Sequence, residues 1–295
     1  MRSCLISLLF FCLCGFSLPG QDGFPYPDVP DSLLTQESRI NYLTSHFWDK
    51  VDFNNSRILE TSKPVLNYIY LIQNANEKIS DEGLRSLFEL TGPFEDFFNG
   101  LIAWFSHFLH DAHSPLYDDN LYSRILSSAL ESNVSVDVKN DLRAKQKVVS
   151  QNQLDGVAND FDVEDKAGER FSLSAIKAQY LLLFFSNPIC SICDNTEKLM
   201  SASEPLNLML SDGILKVLVV CPEENNYDGW FNHKYPDNWM SGFDITGVIS
   251  SNRLYDIQYY PSFYLLDEAK KVLMKEAAWQ DVERVLYTIC RQYYN

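Results

Sequence analysis

Two cysteines in the run Cys190-Ser191-Ile192-Cys193 stand where the chain changes its period. Ahead of them, Tyr180-Leu181-Leu182-Leu183-Phe184-Phe185 is apolar without a break and has the length of a strand buried on both faces. Behind them, Asp194 to Leu210 reads as a helix. A chain of this pattern places the first segment inside a sheet and puts two thiols where strand gives way to helix. The open backbone N–H groups and the positive end of the dipole at such a junction stabilise a thiolate. The thiolate is the form that attacks disulfides, so position and chemistry agree on thiol–disulfide exchange.

The segments around this junction alternate in the same way. Phe161 to Phe171, with a turn at Asp165-Lys166-Ala167-Gly168, reads as a hairpin. Leu215 to Cys221 is a second buried strand. Pro261 to Leu266 and Lys271 to Ala277 are two more around a turn at residues 267–270. Val282, Val285, Leu286, Ile289 and Tyr293 line one face of a last helix. A β-α-β unit, a hairpin and a covering helix predict an α/β fold with a mixed central sheet and helices on both faces.

Before Ser150 the pattern is helical. Phe94, Phe97, Phe98, Leu101, Ile102, Phe105, Phe108 and Leu109 keep the spacing of one helix face. Leu121 to Leu130, Val65 to Ile72 with Pro64 in its first turn, and Ile40 to Phe47 mark three more helices, and Val136 to Val149 a charged connecting one. Pro25, Pro27 and Pro30 hold the entry segment extended. The resulting division is a leader at 1–20, an all-α domain at 21–151 and an α/β domain at 152–295.

The leader reading rests on Arg2, on the short apolar run Leu5 to Phe16 and on the small residues ending at Gly20. It predicts an exported, periplasmic protein with no membrane-spanning helix in its mature part. Cys4, Cys12 and Cys14 leave with it; Cys190, Cys193, Cys221 and Cys290 stay. Four cysteines are too few for a disulfide-stapled scaffold, so one close pair points to redox use or a single local bridge. The net charge of −16 over 295 residues argues against nucleic acid as a partner.

Gly156-x-Ala158-x-x-Phe161, Leu181 to Phe185, Cys190-Ser-Ile-Cys193 and Tyr260-Pro261-Ser262-Phe263-Tyr264-Leu265-Leu266-Asp267 together resemble the thioredoxin-fold domain of TlpA-like thiol–disulfide oxidoreductases, over Asn152 to Asn295. The helical half, with Arg39 to Asp49, resembles an uncharacterised domain fused to such modules in exported Bacteroidetes proteins. The resemblance implies that Cys190 is the nucleophile and Cys193 the resolving thiol. It also implies that Pro261 is the cis proline facing them across a substrate groove, with Tyr260 offering backbone groups to a bound peptide. No cofactor and no metal is implied. The implied partners are a protein bearing a disulfide and a membrane carrier of thiol electrons, with the helical half assigned to a protein partner. Pro188-Ile189 stands where the family has an aromatic residue before the first cysteine. Phe184 stands near the place of a buried acid, which leaves proton handling to other groups such as Asp194 or Glu197.

Two rival functions use the same residues. In one, the pair is a structural disulfide in a non-catalytic binding module; in the other, the fold serves a thiol peroxidase, whose threonine or serine and proline arrangement is missing before Cys190. Cys221 and Cys290 read as buried free thiols. His107, His110 and His113 read as solvated surface residues off the phenylalanine stripe, not as metal ligands. Trp230, Phe231, Tyr235 and Trp239 read as the packing of an inserted segment; the sharper alternative is a lip over the dithiol that selects substrate.

Overall fold

The computed structural model describes residues 23–294. The leader reading therefore lies outside the described residues. The chain divides into two compact units, one running to His110 and resuming over Ser114–Arg143, the other holding Asp111–His113 and Ala144 onward.

The first unit is all helical. After an extended entry through Pro25, Pro27 and Pro30 come α1 (Gln36–His46), α2 (Lys63–Asn74), α3 (Glu77–Thr91), α4 (Glu95–Leu109), α5 (Asp119–Glu131) and the start of α6 (Val136–Val149), which continues from Ala144 in the second unit. The stripe on α4 is the core face: Phe97, Phe98, Leu101, Phe105 and Leu109 are all buried. Thr35 caps α1, Asn76 caps α3 and Asp118 caps α5, each side chain accepting a backbone N–H of the first turn. The spacing does not single out α3, because its buried face includes Ser80, Gly83 and Thr91 beside Leu84, Leu87 and Phe88. Gly83 has a packing reason: a Cβ there would stand 3.0 Å from the Tyr68 hydroxyl and 3.1 Å from the Thr44 carbonyl. An aromatic layer of Phe24, Phe47, Trp48 and Tyr68 closes the entry end.

The second unit is built on a seven-stranded sheet of order β2-β1-β5-β4-β3-β6-β7. Its strands are β1 (Asp162–Glu164), β2 (Arg170–Ser172), β3 (Tyr180–Phe185), β4 (Leu215–Cys221), β5 (Met240–Phe243), β6 (Ser262–Asp267) and β7 (Val272–Ala277). The central trio β3, β4 and β5 is parallel, and the pairs β3–β6, β6–β7, β1–β2 and β1–β5 are antiparallel. β3 is buried on both sides, as its unbroken apolar run requires. Leu182 and Phe184 enter the core beneath α7 (Ser191–Ala202), α8 (Glu204–Ser211) and α11 (Trp279–Tyr294). Leu181, Leu183 and Phe185 enter the opposite core with Phe161, Tyr255, Tyr264 and Ile249 of α10 (Val248–Ser251).

Two expectations need correction. The helix expected from Asp194 to Leu210 is two helices. Ser203 is extended (φ −73°, ψ 116°) and Pro205 sits in the first turn of α8, where its missing N–H does no harm. The inserted segment after β4 contains a strand, β5, beside α9 (Tyr227–Asn232). Met240-Ser241-Gly242-Phe243 is short, lacks alternation and holds a glycine, so nothing in its composition announces a strand. The glycine is needed because a Cβ at Gly242 would lie 2.4 Å from Val163 Cγ2 on β1.

Candidate functional site

Cys190 is the N-cap of α7, with extended backbone dihedrals (φ −93°, ψ 112°). Its Sγ accepts the Cys193 backbone N–H at 3.4 Å and lies 3.8 Å from the Tyr260 carbonyl oxygen, to which the thiol donates. The helix start thus turns an open N–H onto the sulfur, an arrangement that favours negative charge there. Cys190 is half-buried, whereas Cys193, one turn along, is only 2% exposed. Both are free thiols, as are Cys221 and Cys290.

The Tyr260–Pro261 peptide bond just ahead of β6 is cis, and the Tyr260 carbonyl oxygen lies on the Cys190 sulfur. The Tyr260 hydroxyl bonds Glu223 just past β4, and burial with that carboxylate raises its pKa well above the ordinary tyrosine value. The structure therefore gathers Cys190, Cys193, Tyr260 and Pro261, four residues from two distant stretches of sequence, at one end of the sheet. Burial pushes the Cys193 thiol up to about 12, opposed in part by the Asn187 backbone and reinforced by Cys190. Burial pushes Cys221, at the end of β4, up to about 11. The two cysteines of the pair are consequently unlike: one capped and reachable, the other sealed and protonated.

Trp230 and Trp239 are buried, Trp230 against Phe243 and Trp239 against Phe184. The lip reading fails for both, and the segment packs as an insert. Exposed apolar side chains near the pair are instead Ile189 (78% exposed) and Ile192 (62%), with Tyr227 and Phe231 on α9. α9 presses on the segment before the dithiol closely enough that a Cβ at Gly229 would be 3.1 Å from Pro188 Cγ. His110 corrects another reading. It caps the end of α4, its Nδ1 is 2.8 Å from Asp119 Oδ1 and its ring stacks on Tyr122, so it is not a solvated residue. Missed altogether was His233, whose Nε2 lies 2.8 Å from Glu197 Oε2, with side chains 23% and 16% exposed. A lone histidine in an aromatic-rich stretch carries no pattern that would reveal this pairing.

A solved structure of a thioredoxin-like protein from Bacteroides caccae is 27% identical, covers 90% of this chain and 98% of its own, and superposes with a TM-score of 0.74. The C-terminal half of this chain is a thioredoxin-like domain. The helical half is separate and matches the family model Domain of unknown function (DUF5106) over residues 13–152. The C-terminal domain of an uncharacterized Bacteroides fragilis protein aligns with the thioredoxin-like domain at 36% identity, covering 46% of this chain and 98% of that one, with a TM-score of 0.45. The thioredoxin domain of a thiol-disulfide oxidoreductase from Bacteroides vulgatus is 18% identical over 47% of this chain and 98% of that one, with a TM-score of 0.38. No curated protein matches. Within the thioredoxin-like domain the dithiol occupies the carboxyl end of the central parallel strands, where open α/β sheets place their working groups. Among the described residues no helix is long and apolar enough to cross a membrane.

Proposed function

We propose that the protein is an exported, periplasmic thiol–disulfide oxidoreductase of the TlpA-like kind, acting as a reductase of protein disulfides. The observation that carries this reading is the asymmetry of the pair: Cys190 capped by a helix start and half-exposed, Cys193 buried behind it. The Cys190 thiolate attacks one sulfur of a substrate disulfide; that S–S bond breaks, and the departing sulfur leaves as a thiolate that takes a proton. Cys193 then loses its proton and attacks Cys190 Sγ. The mixed disulfide breaks, the substrate leaves fully reduced, and the pair is left oxidised as a Cys190–Cys193 disulfide. A membrane carrier of thiol electrons returns two electrons and two protons to the pair. The Tyr260 backbone, beside the sulfur, lies where an extended substrate segment runs. The helical half serves a protein partner.

The test is covalent trapping. In the full chain, Cys193→Ser leaves the first attack intact and removes the second. Expressed with its leader in the native host, this variant accumulates disulfide-linked adducts that reductant releases and that the double variant lacking Cys190 does not form. Absence of any adduct, with the variant properly folded, refutes the reading.

A further inference from the structure

The loop that leads into the cis proline carries a second stretch of chain. The second unit includes Asp111–His113, a tripeptide that falls between α4 and α5 in the sequence. The Ala112 backbone N–H donates to Gln258 Oε1 at 3.2 Å, and the Tyr259 hydroxyl donates to Asp111 Oδ1 at 3.4 Å. The His113 ring meets the Tyr259 ring edge-on, 4.2 Å between centroids. Asp111 Oδ1 also accepts the His113 backbone N–H at 2.9 Å, which closes the tripeptide into a turn. Gln258 in its turn donates to Asp256 Oδ2 at 2.8 Å and to Glu276 Oε2 on β7 at 3.3 Å, so the arrangement is tied to the sheet. Its outer side stays open to solvent: Tyr259 is 46% exposed, and the side chains of His113 and Asp111 are 65% and 26% exposed.

Tyr259 is next in the chain to Tyr260, whose carbonyl oxygen lies 3.8 Å from Cys190 Sγ. An extended chain advances about 3.3 Å per residue. A substrate whose cysteine reaches Cys190 therefore brings its neighbouring side chains within reach of Tyr259 and Asp111. They meet a carboxylate beside two aromatic rings. Among the described residues Asp111 pairs with no lysine or arginine; its ion-pair contact is His113 Nδ1 at 3.7 Å. Its hydrogen bonds fall on Oδ1, which leaves Oδ2 to face a visitor. We propose that Asp111 and Tyr259 are specificity-determining residues for the exchange reaction, selecting protein disulfides that have an arginine beside the attacked cysteine. This selection rests on the reductase reading above and gives it a substrate class. A guanidinium is planar, so it lies over the tyrosine ring while its N–H fork donates to the carboxylate; an ammonium makes the two contacts less well. Gln258 and His113 hold the receiving groups in place before the substrate arrives, which lowers the ordering cost of binding.

Other exposed side chains near the dithiol do not duplicate this pair. Ile189 and Ile192 offer apolar contact without a preference for charge. The net charge of −16 draws any basic partner toward the chain at long range, without regard to where its arginine stands. Asp228, exposed on α9 where that helix presses on Pro188, is a carboxylate of this general kind and serves as the comparison.

Peptides with a single cysteine blocked by a coloured aromatic thiol measure the preference in the reduced full-length protein. Cys190 attacks the peptide sulfur, the S–S bond breaks, and the aromatic thiolate departs with its colour. Arg, Lys, Gln or Glu is placed one or two residues from that cysteine, on either side. At low salt the rate constant should fall in that order, with Arg about tenfold above Gln at one of these positions. Asp111→Asn should bring the Arg and Gln peptides to within about twofold of each other. Tyr259→Leu should lower the Arg peptide to the rate of the Lys peptide, whereas Tyr259→Phe, which keeps the ring, should preserve the lead of Arg. Asp228→Asn should keep the wild-type order. Equal rates for the four peptides at every position overturn the inference. So does an Arg preference that survives Asp111→Asn, or one that Asp228→Asn removes as fully. A wild-type protein that releases no colour from any peptide overturns the exchange reading itself.

Discussion

At the scale of single residues, one helix start makes two identical side chains different. Cys190 caps α7 and keeps a reachable face, while Cys193, Cys221 and Cys290 are buried. Treated with iodoacetamide at pH 7.5, the reduced full-length protein should be modified at Cys190 alone, as read by peptide mass spectrometry. Burial holds Cys193 and Cys221 as thiols up to about 12 and about 11. The sign of the linkage follows: the folded state keeps protons that the unfolded chain has lost above about 9, so stability present below that pH declines as pH rises toward 11 to 12. Urea midpoints at pH 8 and pH 10 check this, and Cys221→Ala should flatten the decline. The Cys-x-x-Cys spacing made the pair legible from sequence. The pairing of His233 with Glu197 was not, because it joins residues 36 apart in the chain.

At the scale of elements, legibility tracked the clarity of the hydrophobic pattern. β3 and β4 begin and end where their apolar runs do, and α4 buries most of the stripe expected of it, with Phe94 and Phe108 only partly buried. β5 escaped notice, yet it joins the β1–β2 hairpin to the central strands. Its glycine should be intolerant of change. Gly242→Ala drives a methyl group into Val163 and should cost about 2 kcal/mol, seen as a lowered denaturation midpoint. Combining it with Val163→Ala should recover part of that loss, because the two sites share one space. Additive losses would mean that the glycine matters for a reason other than its closeness to β1. The break between α7 and α8 has the opposite lesson: Pro205 is visible in the sequence, but an apolar period running through it hides the interruption.

At the scale of the whole molecule, each unit has its own core. The sheet and the helices that cover it lie wholly within the second unit, and the aromatic layer wholly within the first. A fragment of residues 144–295 should therefore unfold cooperatively by circular dichroism and keep the single-cysteine labelling pattern of the full chain; a fragment without a cooperative transition would show that the second unit's core is incomplete alone. Local order in the chain was enough to determine that a helical half precedes an α/β half and that a dithiol sits between a buried strand and a helix. Periodicity and dipeptide spacing are properties of neighbouring residues, and they survive without knowledge of the fold. Tertiary structure alone decided that the Tyr260 carbonyl lies on Cys190, that Trp230 and Trp239 are core, and that His233 meets both Glu197 and Tyr235. Those meetings join residues far apart in the chain, and only the packing of strands and helices around a shared core brings them within reach.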